Sequence, residues 1–307
     1  MSQPHVSHSW CTVLGQSERG IVSKDQTGQV VDGRFRIEAK MREGKFGDFW
    51  RATQLNNGQT VAVKLLKPEL FMDGEAIRRF NRETKLLTSF SHPNLLRVLE
   101  AGRTEMGDPF IVTEFREGRL LSDDICDLAL PVDQVCHIGA QIARVLASAH
   151  RRGIVHRGLN PDAIMLCEEE GDPNRVKVLD FGLAHLTPGS GEPELTQVGQ
   201  RLGNPEYMAP EYIEEFHLDA RTDLYILGVM VFEMLCGQPP FVGRAMHVLS
   251  AHIEKEPWAP SDLAEQEVPK FLDGLVLALL AKSPDDRPQD ARQVARAFAT
   301  RMWPAAD

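Results

Sequence analysis

The sequence predicts an α+β fold in two lobes, a small β-rich N-lobe with one main helix and a larger helical C-lobe. Three observations lead there. From Gly33 to Phe115, short apolar runs are broken by turn signals such as Asn57-Gly58 and Gly107-Asp108-Pro109, as strands require. Within that region only 73–90 repeats its apolar residues at helical spacing. Beyond Pro131 the helical period dominates to the end of the chain.

The 307 residues suffice for one large domain or two lobes sharing a cleft, and an apolar fraction of 42% supports a sizeable core. A formal net charge of −10 argues against a nucleic-acid partner. The five cysteines, Cys11, Cys126, Cys136, Cys167 and Cys236, are odd in number and form no Cys-x-x-Cys, which fits reduced thiols in a cytoplasm. No basic start leads into a long apolar run, and the strongly apolar stretch 224–235 contains Glu233 and is too short to span a bilayer.

Taken in order, residues 1–32 are polar and read as a flexible tail, with a short strand near Gln29–Val31. His5, His8 and Cys11 fall three apart without a fourth ligand, so a metal site there is weaker than a plain tail. Strands are expected at Arg34–Met41 and Thr60–Leu66, around the Asn57-Gly58 turn. The helix at 73–90 presents Ile77, Phe80, Thr84 and Leu87 on one face and Arg78, Arg79, Arg82 and Lys85 on the other. Strands Leu95–Ala101 and Phe110–Phe115 follow. Val135, Ile138, Ile142, Val145, Leu146 and Ala149 form a helical stripe that Gly153 ends. Arg175–Leu179 reads as a strand and 185–202 as a mobile loop. Leu224–Leu235 is apolar all round, as a buried central helix is, and further helices are expected at 243–254, 269–281 and 289–302.

Five motifs stand in register on this outline: Gly44–Phe49, Val61-Ala62-Val63-Lys64, Gly153–Leu166, Asp180-Phe181-Gly182 and Ala209-Pro210-Glu211. Together they resemble a bacterial serine/threonine protein kinase domain over 33–303. The resemblance implies a two-lobed protein-kinase-like fold, with N-lobe 33–115, hinge 114–119, C-lobe 120–303 and a short tail at 304–307. It implies that Lys64 reaches nucleotide phosphates, that Glu83 pairs with Lys64, and that Asp180 holds magnesium. Gly44, Gly47, Phe49, Ala62, Thr113, Glu114, Phe115 and Met165 would complete the nucleotide site. Glu211 would pair with Arg287, and Asp223 would hold the catalytic loop. Packing columns would run through His156, Phe181, Leu87 and Val98, and through Phe49, Ala62 and Met165. Thr196 lies where related kinases are often phosphorylated, and Arg157 would receive the phosphate.

The chain also departs from the family pattern. Gly158 stands where the catalytic Asp belongs, Asn160 where a Lys is usual, and Ala163 where an Asn holds the second metal ion. Asn204 replaces the usual Thr, Arg42 the first loop glycine and Phe49 the usual Val. A glycine or an alanine can neither accept a proton nor bind a cation. The resemblance thus implies a pseudokinase, with weak or no binding of ATP and magnesium, acting as a regulatory or scaffolding module on a protein partner such as an active kinase or its substrate. The alternative is an ATP-dependent serine/threonine kinase with residual or unconventional transfer, with Asp162 as a remote substitute base. A structural module that binds no nucleotide is a third reading.

Overall fold

The structure, a computed structural model, describes residues 26–44, 47–67, 74–125, 128–181, 204–214 and 218–304; within the first helix the side chains at 74–76, 79 and 83 lie outside that description. The N-lobe sheet has six antiparallel strands in the order β1-β2-β3-β4-β6-β5. These are β1 (Val30–Val31), β2 (Phe35–Arg42), β3 (Gly47–Gln54), β4 (Thr60–Leu66), β5 (Val98–Arg103) and β6 (Pro109–Glu114). Helix α1 (Gly74–Ser89) packs beside β5. The sheet therefore begins inside the stretch 1–32 expected to be tail: Val30 pairs with Arg36 and Gly28 N–H donates to Ile37 O at 2.9 Å. His5, His8 and Cys11 lie outside the described residues.

Strand β4 shows how sequence places side chains here. Its residues alternate faces. Val61 and Val63 enter one apolar cluster with Phe35, Ile37, Trp50 and Phe110, while Leu66 joins Phe80 and Ile111 in another. Ala62 and Lys64 share the face of Leu66, opposite the two valines. Register then makes Phe49 the direct cross-strand partner of Lys64, and Thr113 that of Ala62.

The C-lobe opens with β7 (Arg119–Leu120), α2 (Leu121–Asp124) and α3 (Val132–His150). The turn after α3 uses Gly153 in the left-handed region (φ 70°), which costs glycine little. A second sheet pairs β7 with β8 (Ile164–Glu169) and β8 with β9 (Asp172–Val178). Strand β8 was not expected, since the run Ile164-Met165-Leu166-Cys167 is too short to show a period and gains its identity from pairing. Helices α4 (Pro210–Glu214), α5 (Ala220–Cys236), α6 (Ala245–Glu254), α7 (Pro260–Leu263), α8 (Lys270–Leu279) and α9 (Ala291–Thr300) complete the lobe. Helix α5 is buried along almost its whole length, as its uniform apolarity predicts, and α3, α8 and α9 supply the rest of its core. Among the described residues no helix is long and apolar enough to cross a membrane.

One ion pair ties the end of the lobe together. Arg287 donates to both carboxylate oxygens of Glu211 at 2.8 and 2.7 Å, Thr222 Oγ1 adds a third bond at 2.8 Å, and the guanidinium also reaches Ala281 O and Lys282 O. Both residues are buried. Removing one partner leaves the other charge uncompensated. Glu211→Ala is expected to cost about 3–5 kcal/mol in urea denaturation, whereas exchanging both residues for well-packed apolar ones is expected to cost much less.

Candidate active site

Asp223, at the start of α5, is fully buried and fixes the loop that follows α3. Its carboxylate accepts from the backbone N–H groups of His156 (2.8 Å) and Arg157 (2.9 Å) and faces His150 Nε2 at 2.8 Å. The bond to Arg157 holds that residue at φ 63°, and Asp180 sits at φ 54°. Each costs a non-glycine residue on the order of 1 kcal/mol or more, which the surrounding bonds must offset. His156 is buried, and burial lowers its pKa, so the ring is neutral; Nε2–H donates to Leu179 O at 2.8 Å. Its ring lies 4.6 Å from that of Phe181, which in turn meets Phe90 edge-on at 6.0 Å. Leu87 belongs to the same core as Phe181, and Val98 packs against that core, so all four residues of the first predicted packing column lie in or against it or meet Phe181.

The loop itself closes on its own groups. Asn160 caps the turn Pro161–Ala163: its Oδ1 accepts from Ala163 N–H at 3.1 Å and its Nδ2 donates to Gly158 O at 3.2 Å. One amide thus joins Gly158 and Ala163, the positions where the family pattern has an Asp and an Asn. Asp162 is exposed. Its charge acts on Tyr207 and Glu233, which share a hydrogen bond of 2.6 Å.

Above the loop, Lys64 is 3% exposed and forms an ion pair with Asp180 at 2.9 Å. Burial lowers its pKa, the Asp180 carboxylate works against that, and the Arg42 charge adds to the lowering. Its ammonium lies 4.6 Å from the centre of the Phe49 ring, and the Arg42 guanidinium lies 4.3 Å from the same ring. The predicted Lys64–Glu83 pair involves a side chain outside the described residues, as do Gly182 and Thr196.

A cavity of about 260 Å³ lies between the lobes. Of the predicted nucleotide residues, Phe49, Ala62, Thr113, Glu114, Phe115 and Met165 line it together with Arg42; Lys64, Asp180, Gly44 and Gly47 are not on its wall. Gly47 has a structural reason to be glycine, because a Cβ there would stand 2.1 Å from Leu65 O on the neighbouring strand. Sequence reading missed Gly118 on the cavity wall, where a Cβ would meet Leu166 O at 2.7 Å. A glycine closing the hinge was the available signal. Among the described residues no group of three or more metal-ligating side chains gathers; Asp180 would offer a hard cation one carboxylate, and Ala163 offers no side-chain oxygen.

A two-lobed domain with a buried lysine paired to a carboxylate over an ordered loop defines a kinase-type cleft. Comparison places it further. The protein kinase domain family matches residues 35–298, and the chain belongs to that family. It is 35% identical to the serine/threonine-protein kinase pkn3 of Myxococcus xanthus over 271 residues, covering 87% of this chain and 50% of that protein. It is 32% identical to the serine/threonine-protein kinase PknB of Mycolicibacterium smegmatis, with 87% and 43% covered. The chain thus spans about half the length, or less, of these curated relatives. The crystal structure of the Mycobacterium tuberculosis PknI kinase domain superposes with a TM-score of 0.69 at 25% identity, covering 89% of this chain and 97% of that one.

Glu233 supplies a pH test of the loop's support. Burial raises its carboxyl pKa to about 7, helped by the charges of Glu206 and Asp162 and opposed by the Tyr207 hydrogen bond. Because the folded value is raised, its contribution is complete below the ordinary carboxylate range and lost as pH climbs through the folded value. Tm is expected to fall between about pH 5 and about pH 8, and Glu233→Gln is expected to flatten that slope in thermal melts.

Proposed function

We propose that this domain is a catalytically deficient kinase, a regulatory or scaffolding module that acts on a protein partner and retains weak ATP binding with one magnesium ion. The observation that carries this reading is the self-closed loop: Gly158 and Ala163 joined through Asn160, with no carboxylate at the first position and no oxygen at the second. Phosphoryl transfer rests on positioning and charge stabilisation. Loss of the acid–base group alone costs about 10²–10⁴ in rate. Lys64 would hold the nucleotide phosphates and Asp180 the metal, each exchanging part of its present ion pair for the ligand. ATP supplies a transferable phosphoryl group when bound; what this chain supplies is the shaped cleft. An active kinase or a kinase substrate is the partner class the shape suggests. Buried free thiols at Cys136 and Cys167 are in keeping with a cytoplasmic setting.

A second reading, a serine/threonine kinase with residual or unconventional transfer, has its own support. The relatives are named as serine/threonine kinases, and this weighs toward activity more than toward its loss. Lys64 with Asp180 is intact, and Asp162 is exposed beside the Tyr207–Glu233 pair. Labelled ATP with magnesium or manganese and generic protein substrates separates the two. Under the first reading transfer stays at background for the unmodified protein, Asp180→Ala and Asp162→Asn alike. Transfer abolished by Asp180→Ala establishes the second reading, and abolition by Asp162→Asn as well identifies the substitute base. Under either reading, ATP with magnesium is expected to raise Tm, with the rise lost in Asp180→Ala.

A further inference from the structure

We propose that Arg42 is a phosphate-binding side chain, placed at the mouth of the cleft to supply the positive charge that the catalytic loop and a second metal ion no longer bring. This rests on the nucleotide-binding part of the reading above and assigns a residue to it. Arg42 ends β2 and occupies the position where the family has its first loop glycine. Its guanidinium is carried across the opening between the lobes, where Nη1 donates to Asp162 O at 3.4 Å, a long bond and therefore easily exchanged. It also lies on the Phe49 ring at 4.3 Å, while Lys64 lies against that ring at 4.6 Å. Lys64, which Asp180 holds in an ion pair, and Arg42 thus meet on one aromatic ring. Among the described residues no carboxylate pairs with Arg42, so its own charge is in surplus on the wall of the cavity.

An anion is the ligand that this surplus favours. Phosphate oxygens match the planar fork of a guanidinium, which donates two parallel hydrogen bonds. The loop groups that would compete are absent: Asn160 is engaged with Gly158 O and Ala163 N–H, and Ala163 holds no cation. The position on the cavity wall directs Arg42 to the phosphates of a ligand whose base lies at the hinge. The opposite role is also defined by the geometry. If Arg42 on Phe49 were a latch that keeps ligands out, its removal would tighten binding.

Isothermal titration calorimetry with ATP and with adenosine, in magnesium and in EDTA, distinguishes these outcomes. The unmodified protein is expected to prefer ATP over adenosine, and to keep that preference in EDTA. Arg42→Gln is expected to weaken ATP about 10–100-fold, the worth of charge-assisted hydrogen bonds, with adenosine changed by less than about two-fold. Arg42→Lys is expected to recover part of the loss, because it restores charge without the fork. Thermal melts confirm that each variant is folded. ATP binding that is unchanged or tighter in Arg42→Gln overturns the Arg42 role while leaving nucleotide binding in place. So does a preference for ATP that vanishes in EDTA. An unmodified protein that binds neither ligand overturns the nucleotide reading and this inference together.

Discussion

The lower half of the cleft depends on one buried carboxylate. Asp223 has no contact with water, and a bare charge in that position would be prohibitively costly. It is tolerated because two backbone N–H groups and a histidine nitrogen surround it. Those same bonds force the chain after α3 into the left-handed turn at Arg157, and the turn sets where Gly158, Asn160 and Ala163 stand. The carboxylate thus shapes a loop whose reactive groups it never touches.

This separation of shape from chemistry explains how the domain keeps its form. Three of the positions that differ from the family pattern, Gly158, Asn160 and Ala163, lie in this loop, and Asn160 ties the other two together with hydrogen bonds of its own. The elements that hold the loop, α5 below and the His156–Phe181 contact above, are made of residues packed inside the core. The relatives carry the same architecture and are named as kinases, so the frame alone does not decide activity.

Much of this was legible in the sequence. The uniform apolarity of 224–235 marked the central helix, and the run Thr60–Leu66 marked the strand that carries Lys64. Short elements escaped. The β8 strand and the turn at Pro161–Ala163 are specified by pairing and capping partners far away or side by side, not by any period. The sequence flagged Arg42 as a lost glycine. Its place over Phe49 emerged only from the register of three strands, in which Phe49 faces Lys64 and Arg42 faces Phe49. Gly47 shows what a motif alone does not display: besides the nucleotide role its motif implies, the adjoining strand's carbonyl leaves no room for a Cβ there.

The segment between α1 and β5 adds a mechanical consequence. Asn94 donates through its side chain to Gln141 and to Val176 O, its backbone oxygen receives Val178 N–H, and Leu96 N–H bonds back to Val178 O. Among the described residues the upper lobe is therefore fastened to the lower one here and through the chain at 114–119, and two side chains, Lys64 to Asp180 and Arg42 to Asp162 O, also bridge the cleft. Parting the lobes at the mouth would break the two side-chain contacts and leave the backbone anchors in place, as a door opens against its latch and not its hinge.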